Sequence, residues 1–599
     1  MLTLGINAAF HDCAAVLVAD GRVIAAAEEE RFTHVKHGKR PLPFTAWQLP
    51  FHAIDFCLAQ GGVTLADIDH VAYSFDPWEF DGFDRLLQAA PGDKAGDRRA
   101  LPDSIALPLE PWRHPAPAGG SPWDPLFLAY IVNAPGQLRD GAPHHLKARF
   151  RLPPGEPRWQ WHWVEHHLAH EASAFLAAPF DDCAVLTLDG RGEHVTTSAG
   201  HFSDGHFRRL AEVSHPHSLG MLYERITDFL GFLHSSDEYK VMALASYGTP
   251  RFRDQFDGMV SLDDHGGYTM KLPDRAGLEA LFGPARERGG ALDQRHFDIA
   301  ASLQKTLEDA VLALAGWLHR QTGARNLALA GGVALNCVMN ARLRDDGPFE
   351  HVWVQPAAGD AGTALGAALW ADHCARGRPA THWRMEHALL GPEWSDDDIE
   401  AFLRWSHLSF RRCTDLAADT ADLLVAGKVI GWFQGRMEFG PRALGARSIL
   451  ASPIPADMQQ RLNDIKDRED FRPVAPVVLE DRCAEWFTAE QGGDDPAPFM
   501  LFVFKVRPEL AARIPAVVHA DGTARVQTVR ADQNPRYHAL LRAFEQRTGV
   551  PILVNTSFNT RGEPMVCSPR DALESFWTSP LDALVIGNFI VEKHGGGAS

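Results

Sequence analysis

Two histidines one helical turn apart, His166 and His170 in HHLAHEASAF, and two aspartates beside glycines, Asp189 in TLDGRGE and Asp360 in AAGDAGTALGAA, are side chains whose types and spacing suit chemistry. On a helix, residues i and i+4 face one way, as two imidazoles converging on one metal ion must. Two imidazoles with carboxylate help suit divalent iron, manganese or zinc and leave open positions for a ligand. The pattern is not that of a zinc protease, because His167 stands where the glutamate base would be. A facial-triad oxygenase fits the same residues, and glycine-flanked aspartates also suit the neighbourhood of nucleotide phosphates. A helix carrying two structural histidines is the plain alternative.

A second constellation is cationic. The segments VIGWFQGRMEFGPRALGARSIL and RLNDIKDREDFRPVAPVVLE gather Arg436, Arg442, Arg447, Lys466, Arg468 and Arg472. Clustered guanidinium groups meet phosphate oxygens two at a time. A solvated charged face is the alternative, but the glycines and prolines that break these segments do not make a simple helix surface. Farther on, HADGTARVQTV adds Arg525, and VPILVNTSFNTRGEPMV sets Asn555, Ser557 and Asn559 after an apolar strand. Such groups hold a small polar substrate or cap a turn.

The elements that must position these residues repeat. LTLGIN reads as a short apolar strand, followed by AAFHD and the strand pair AAVLVADGRVIAAA, folded at Asp20-Gly21. Asp-Gly between alternating apolar residues signals a hairpin, since both turn positions tolerate positive φ. AVLTLDG and RGEHVTTSAGHFSDGHFRRLAEV repeat the order, with the turn at Asp204-Gly205, which reads as an internal duplication. Two halves that each begin strand, phosphate-loop-like turn, hairpin point to the actin, hexokinase and Hsp70 architecture. LALAGGVALNCVMNARL adds a buried strand, Gly331-Gly332 and a helix start, where glycines admit close backbone approach and a helix N-terminus favours anions. Between the copies, Tyr73 to Trp163 is irregular, rich in Pro, Trp and Arg, and a candidate for shaping an acceptor pocket. After ADHCARGRP the pattern resets, and HALLGPEWSDDDIEAFLRW reads as a linker entering a capped helix.

At 599 residues the chain exceeds one typical core, so two domains are expected, over 1–385 and 386–599. Hydrophobic residues are 45% and charged residues 23%, the composition of a globular enzyme, and no apolar run approaches the roughly 20 residues of a membrane span. MLTLGINAAF lacks the basic and apolar parts of a secretory signal, so a cytoplasmic location is expected. The eight cysteines are scattered without a CxxC pair and read as reduced packing residues. A net charge of −19 repels nucleic-acid backbones over most of the surface.

Taken in order, GINAAFHD, HHLAH, TLDGRGE, EYKVMALASYG, GGVALN, GDAGTALG, GRMEFGPRALGARSIL, IKDREDFRP and NTSFNTRGEP resemble the O-carbamoyltransferases of nodulation and antibiotic pathways. The resemblance covers nearly the whole chain and departs at Ala243, where glycine is expected, and at Cys13, where a smaller polar residue is commoner. It implies an α/β protein with two active sites: a duplicated nucleotide-binding domain like that of the tRNA threonylcarbamoyl-transfer enzymes, then a YrdC-like α/β domain. Lys466 and Arg468 match a Lys-x-Arg motif, and Ser557 and Asn559 a Ser-x-Asn motif. With Arg436, Arg442, Arg447, Arg472 and Arg525 they would take carbamoyl phosphate and ATP, with Mg2+, and make carbamoyl-adenylate. In the first domain the resemblance implies iron(II) on His166, His170, Asp189 and Asp360, and an adenylate held by Asn7, Gly190, Lys240, Gly331, Gly332 and Asn336. His11 is then the candidate base toward the hydroxyl of a sugar or other small-molecule acceptor.

Rival readings remain. A small-molecule kinase of the same nucleotide-binding class explains the hairpins and Gly331-Gly332 but leaves HHLAH and the basic second domain unused. A tRNA threonylcarbamoyl-type transferase is disfavoured by the acidic surface and by the fusion of both domains. A non-catalytic ATP-dependent sensor is disfavoured by unbroken polar motifs at both sites. The hydrogenase-maturation layout is excluded by the absent cysteine-rich finger. The acceptor is not identified by sequence.

Overall fold

A computed structural model of the chain describes residues 1–38, 49–80, 124–140, 150, 152, 155, 157–489, 496–560 and 562–593. Contacts divide it into two compact units, one of Met1–Ser218, Ala328–Val333 and Ala357–Arg384, the other of Leu219–Leu327, Ala334–Pro356 and Met385–Ser599.

The first unit opens on β1 (Leu2–Asn7), β2 (Ala14–Ala19), β3 (Arg22–Glu28), β4 (His70–Tyr73) and β5 (Gln160–Trp163), in the order β3-β2-β1-β4-β5. β1 pairs antiparallel with β2 and parallel with β4. Its run LTLGIN is buried from the second residue on, as a strand covered on both faces must be. The β2–β3 turn is the expected Asp20-Gly21, with φ of 48° and 81°. These are the two positive values of a type I′ hairpin.

The second copy is β6 (Cys183–Leu188), β7 (Val195–Ser203) and β8 (His206–Ser214), turning at Asp204 and Gly205 with φ of 50° and 73°. Farther along come the small hairpin β9 (Val260–Leu262) and β10 (Tyr268–Met270), then β11 (Asn326–Ala330) and β12 (His351–Val354). The second five-stranded sheet runs β12-β11-β6-β7-β8, so read from β8 it repeats the order of the first. The duplication expected from the two Asp-Gly hairpins is thus borne out in strand order, the actin, hexokinase and Hsp70 arrangement.

Small side chains let the first unit close around its helices. The helix Ala361–Ala375 packs on β1 and on the helix His166–Phe175. At Gly366 an added Cβ would stand 1.7 Å from the carbonyl oxygen of Ala169, so only glycine admits this approach. That contact sets Asp360, at the start of one helix, against His166 and His170 on the other. Of the stretch between Tyr73 and Trp163, 81–123 and most of 141–156 lie outside the described residues, and with them most of the segment expected to shape an acceptor pocket. The helix Asp124–Val132 is described, and its Phe127 stacks on Phe10 at 5.3 Å.

The second unit holds a 29-residue helix, Gln294–Thr322, capped by Asp293. The expected capped helix after the linker is Asp396–Trp405, where Ser395 accepts from the amide of Asp398. The strands that follow are β13 (Arg411–Arg412), β14 (Ile430–Phe433), β15 (Arg447–Ala451), β16 (Ala475–Leu479), β17 (Phe487–Thr488), β18 (Val503–Val506), β19 (Thr523–Arg525), β20 (Gln527–Val529), β21 (Ile552–Ser557), β22 (Ala583–Ile586) and β23 (Phe589–Glu592). They form a mixed sheet, β13-β23-β22-β14-β15-β21-β16-β20, and a smaller one, β17-β18-β19. Trp432, Leu450, Val477, Phe544, Val554 and Leu584 anchor the core. This α/β arrangement fits the YrdC-like expectation. No helix among the described residues is long and apolar enough to cross a membrane.

Candidate functional site

The helix His166–Phe175 brings the rings of His166 and His170 to 4.7 Å, nearly perpendicular. The carboxylate of Glu193 accepts the backbone N–H of His166 at 3.0 Å and so holds the first turn. Asp189 follows β6, and its Oδ1 accepts the N–H of Gly332 at 2.8 Å. Its Oδ2 then lies 3.6 Å from Nε2 of His166 and 3.9 Å from Nε2 of His170. Asp360 Oδ1 lies 3.7 Å from each imidazole. All four residues are buried, and their donor atoms lie within 4.8 Å of one another. The histidine Nε2 atoms have no hydrogen-bond partner among the described residues.

These separations are too long for hydrogen bonds, whereas metal bonds of ~2.1 Å put neighbouring donors roughly 3.0–3.5 Å apart. Two imidazoles and two carboxylates therefore fit a divalent ion with a small inward adjustment. Burial alone would push the His166 imidazole down, but Asp360 and Asp189 outweigh it and hold the group up at about 9. Burial pushes the Asp189 carboxyl up, and the facing imidazoles hold it far below the usual carboxylate range. A divalent cation would supply the charge that both carboxylates call for. His167 turns away, with Nδ1 3.2 Å from the Ser198 hydroxyl.

His11 stands beside this group. Phe10 and Asp12, on either side of it, have φ of 45° and 50°, in the sparsely populated left-handed region. Asn7 donates to the carbonyls of His11 and Asp12 at 2.9 and 3.1 Å, so its amide shapes this loop. The His11 ring places Nδ1 3.0 Å from Asp12 Oδ2 and 3.6 Å from Asp360 Oδ2, with a third of the side chain exposed. Asp12 in turn bridges to His37 Nδ1 at 2.8 Å. Asp12 had a signal in the sequence, being next to His11; His37 had none, because a contact 25 residues away leaves no periodicity. Glu193 closes the quoted TLDGRGE run, but its service to the helix is a long-range contact.

Of the residues expected to hold a nucleotide, Gly331 and Gly332 follow β11 as foreseen. Gly331 has φ of +88° and its Cα faces the backbone of Leu188 so closely that a Cβ would stand 2.2 Å from the Leu188 oxygen. Gly190 accepts the Ser218 hydroxyl through its carbonyl. Lys240 and Asn336 belong to the second unit. There Lys240 pairs with Glu469 at 2.9 Å, and Asn336 caps the helix Cys337–Asp346 and bonds Gln304. These interactions occupy both side chains within that unit.

In the second unit the two short motifs meet. Lys466 Nζ donates to Ser557 O at 2.5 Å, Asn559 Oδ1 at 2.7 Å, and Ser557 Oγ and Asn559 O at 3.2 Å. The middle residue of Lys-x-Arg, Asp467, has φ of 43°, which turns the chain between Lys466 and Arg468. Burial first, then repulsion from Arg525 and Arg472, pushes Arg442 down to about 9. Burial, then Arg472 and Arg525, does the same to Arg468. Arg442 Nε, Arg468 Nη2 and Arg525 Nε are buried without a hydrogen-bond partner among the described residues. Arg472 lies over the Tyr239 ring at 4.7 Å.

Two of the expected cations serve the backbone instead. Arg436 donates to the carbonyls of Leu390 and Gly391. Arg447 is fully buried, stacks 3.7 Å over Phe433, and donates at 3.0 Å to the carbonyls of Gln434, Gly435 and Pro392. Carbonyl dipoles thus take up guanidinium protons that the sequence reading assigned to phosphate. Asn555 likewise bonds Gln527 and the Ala443 carbonyl. Sequence reading also missed Glu438, whose Oε1 accepts the amides of Leu444 and Ala446 at 2.7 Å and shapes the loop carrying Arg442.

Comparison with known proteins gives a consistent answer. Residues 2–99 and 157–369 match the family model of the carbamoyltransferase N-terminus, and 421–593 that of the carbamoyltransferase C-terminus. Nodulation protein NolNO of Sinorhizobium fredii is 39% identical over 594 residues, 98% of this chain and 80% of that protein. Nodulation protein NolO of Bradyrhizobium diazoefficiens is 42% identical over 72% of this chain and 79% of its own length. An uncharacterized protein of Synechocystis sp., sll1178, is 39% identical over 98% of this chain and 96% of its own length.

Proposed function

The chain belongs to the carbamoyltransferase family, and on that premise we propose that it is an ATP-dependent O-carbamoyltransferase working in two steps. On residues 386–599, carbamoyl phosphate, water and ATP give carbamoyl-adenylate, phosphate and pyrophosphate. On residues 1–385, the carbamoyl group passes to a hydroxyl of a small-molecule acceptor, and AMP leaves. The observation that carries this reading is the set of buried guanidinium nitrogens on Arg442, Arg468 and Arg525 that have no hydrogen-bond partner among the described residues, in the same unit as the Lys466, Ser557 and Asn559 knot.

A carbamate and a triphosphate repel one another, and fixed cations must offset that before the carbamate oxygen reaches the α-phosphorus. Arg442, Arg468, Arg472 and Arg525 supply the charge, Lys466 the link to the polar loop, and Mg2+ accompanies ATP. In the first unit, His166, His170, Asp189 and Asp360 would hold a divalent ion, iron(II) by resemblance, and the ion would supply Lewis-acid chemistry at the carbamoyl carbonyl. His11 takes the acceptor proton, with Asp12 holding its Nδ1 side. Gly190, Gly331 and Gly332 offer backbone to the adenylate.

Incubation with ATP and carbamoyl phosphate, without acceptor, is expected to yield carbamoyl-adenylate and pyrophosphate by mass spectrometry; hydrolysis of neither substrate overturns the first step. His11→Ala is expected to keep its metal and still make the adenylate, while transfer falls on the order of a hundredfold. Transfer at the wild-type rate with saturating acceptor would refute the base assignment.

A further inference from the structure

His519 is half-buried, with Arg525 close enough to act on its charge, and it has no part in the chemistry above. It opens the turn that leads into β19, donating its backbone N–H to Thr523 O at 2.7 Å, and β19 ends on Arg525. The side chain closes the same turn, with Nδ1 3.1 Å from Thr523 Oγ1. Thr523 Oγ1 donates its single proton to Asp521 Oδ1 at 2.7 Å, so toward His519 it accepts. Nδ1 therefore carries the ring proton and Nε2 is a bare lone pair. Burial, helped by Arg525 and opposed by Asp521, pushes the imidazole down to about 4, which keeps it neutral.

Nε2 is shut off from solvent and has no hydrogen-bond partner among the described residues. A buried acceptor left unmade is costly, and no donor among the described residues turns to it. Its surroundings ask for two things at once. Arg525, whose charge reaches His519, also repels Arg442 and Arg468, and these three, each with an unpartnered N–H, ask for phosphate oxygens; the bare nitrogen asks for an N–H donor. Carbamoyl phosphate is a compact dianion whose single donor is its amino group.

We propose that His519 Nε2 accepts a hydrogen bond from the carbamoyl amino group, and so selects carbamoyl phosphate over other acyl phosphates. The inference rests on the reading that the basic unit takes carbamoyl phosphate. It makes His519 a specificity residue that touches the substrate without moving a proton.

The test compares two stable phosphonates by calorimetry on the full chain: phosphonoacetamide, which keeps the amino group, and acetonylphosphonate, in which a methyl replaces it. Wild type is expected to prefer the amide by on the order of tenfold or more, because the methyl leaves Nε2 unpaired. His519→Phe fills the space without an acceptor and is expected to bring the preference to about one through weaker amide binding. His519→Gln, whose amide oxygen reaches toward the Nε2 position, is expected to keep most of it. Equal binding of the two by wild type overturns the proposal whatever the variants do, and so does a preference that survives in His519→Phe. The underlying reading fails differently: neither phosphonate binds, or Arg468→Ala leaves both affinities unchanged, and the proposal falls with it.

Discussion

Alanine at Lys466 or at Arg468 is expected to abolish carbamoyl-adenylate formation. Lys466 ties the turn after the helix Met458–Ile465 to the Ser557 and Asn559 loop, where it meets four oxygens. Its removal takes away a buried cation and the tie that holds the loop. Arg468 is held on one side by Asn463 at 2.6 Å, which leaves the other side of its guanidinium for a ligand. Losing one preorganised donor to developing charge costs on the order of a hundredfold to a thousandfold in rate, and here the donor is also a full charge. Pyrophosphate release with ATP and carbamoyl phosphate is the measurement. Transfer from separately supplied carbamoyl-adenylate is expected to persist, since it uses the other constellation. Wild-type pyrophosphate release in both variants overturns the site.

The second large effect is expected at the metal group. His166→Ala and His170→Ala each remove one of four buried donors, and the ion is expected to be lost from both, with affinity down by at least about a hundredfold, the upper end of what outer-shell changes alone cause. Elemental analysis of purified protein reads this directly. Adenylate formation in the same samples is expected to continue, which separates a lost ion from a misfolded chain. Full occupancy in both variants would mean that other groups hold the metal.

How much of this was legible in the sequence depended on the range of the interaction. The histidine pair was legible because four-residue spacing on a helix is geometry by itself, and the two hairpins because Asp-Gly demands positive φ at both positions. That Asp189 and Asp360 meet the histidines required the resemblance, since nothing local brings Ala169 to Gly366. The fates of Arg436 and Arg447 were not legible. A guanidinium reads as a free cation until the carbonyls around it are known, and those belong to residues as distant as Leu390 and Pro392. Lys240 was similarly ambiguous, because its partner Glu469 lies 229 residues on. His519 needed a still finer fact, the direction of one hydroxyl proton.

The half-satisfied guanidiniums also have a thermodynamic side. Arg442 and Arg468 ionise less readily in the folded protein than in the unfolded chain, so folding is opposed wherever both must be charged. The penalty is fully present below about 9 and is relieved as pH rises through the arginine range, so at neutral pH the free protein carries all of it. An anion that binds only the folded form repays it by mass action. On the proposed reading, the resting protein gives up part of its own stability to keep a phosphate site ready, and phosphate bound there would return it.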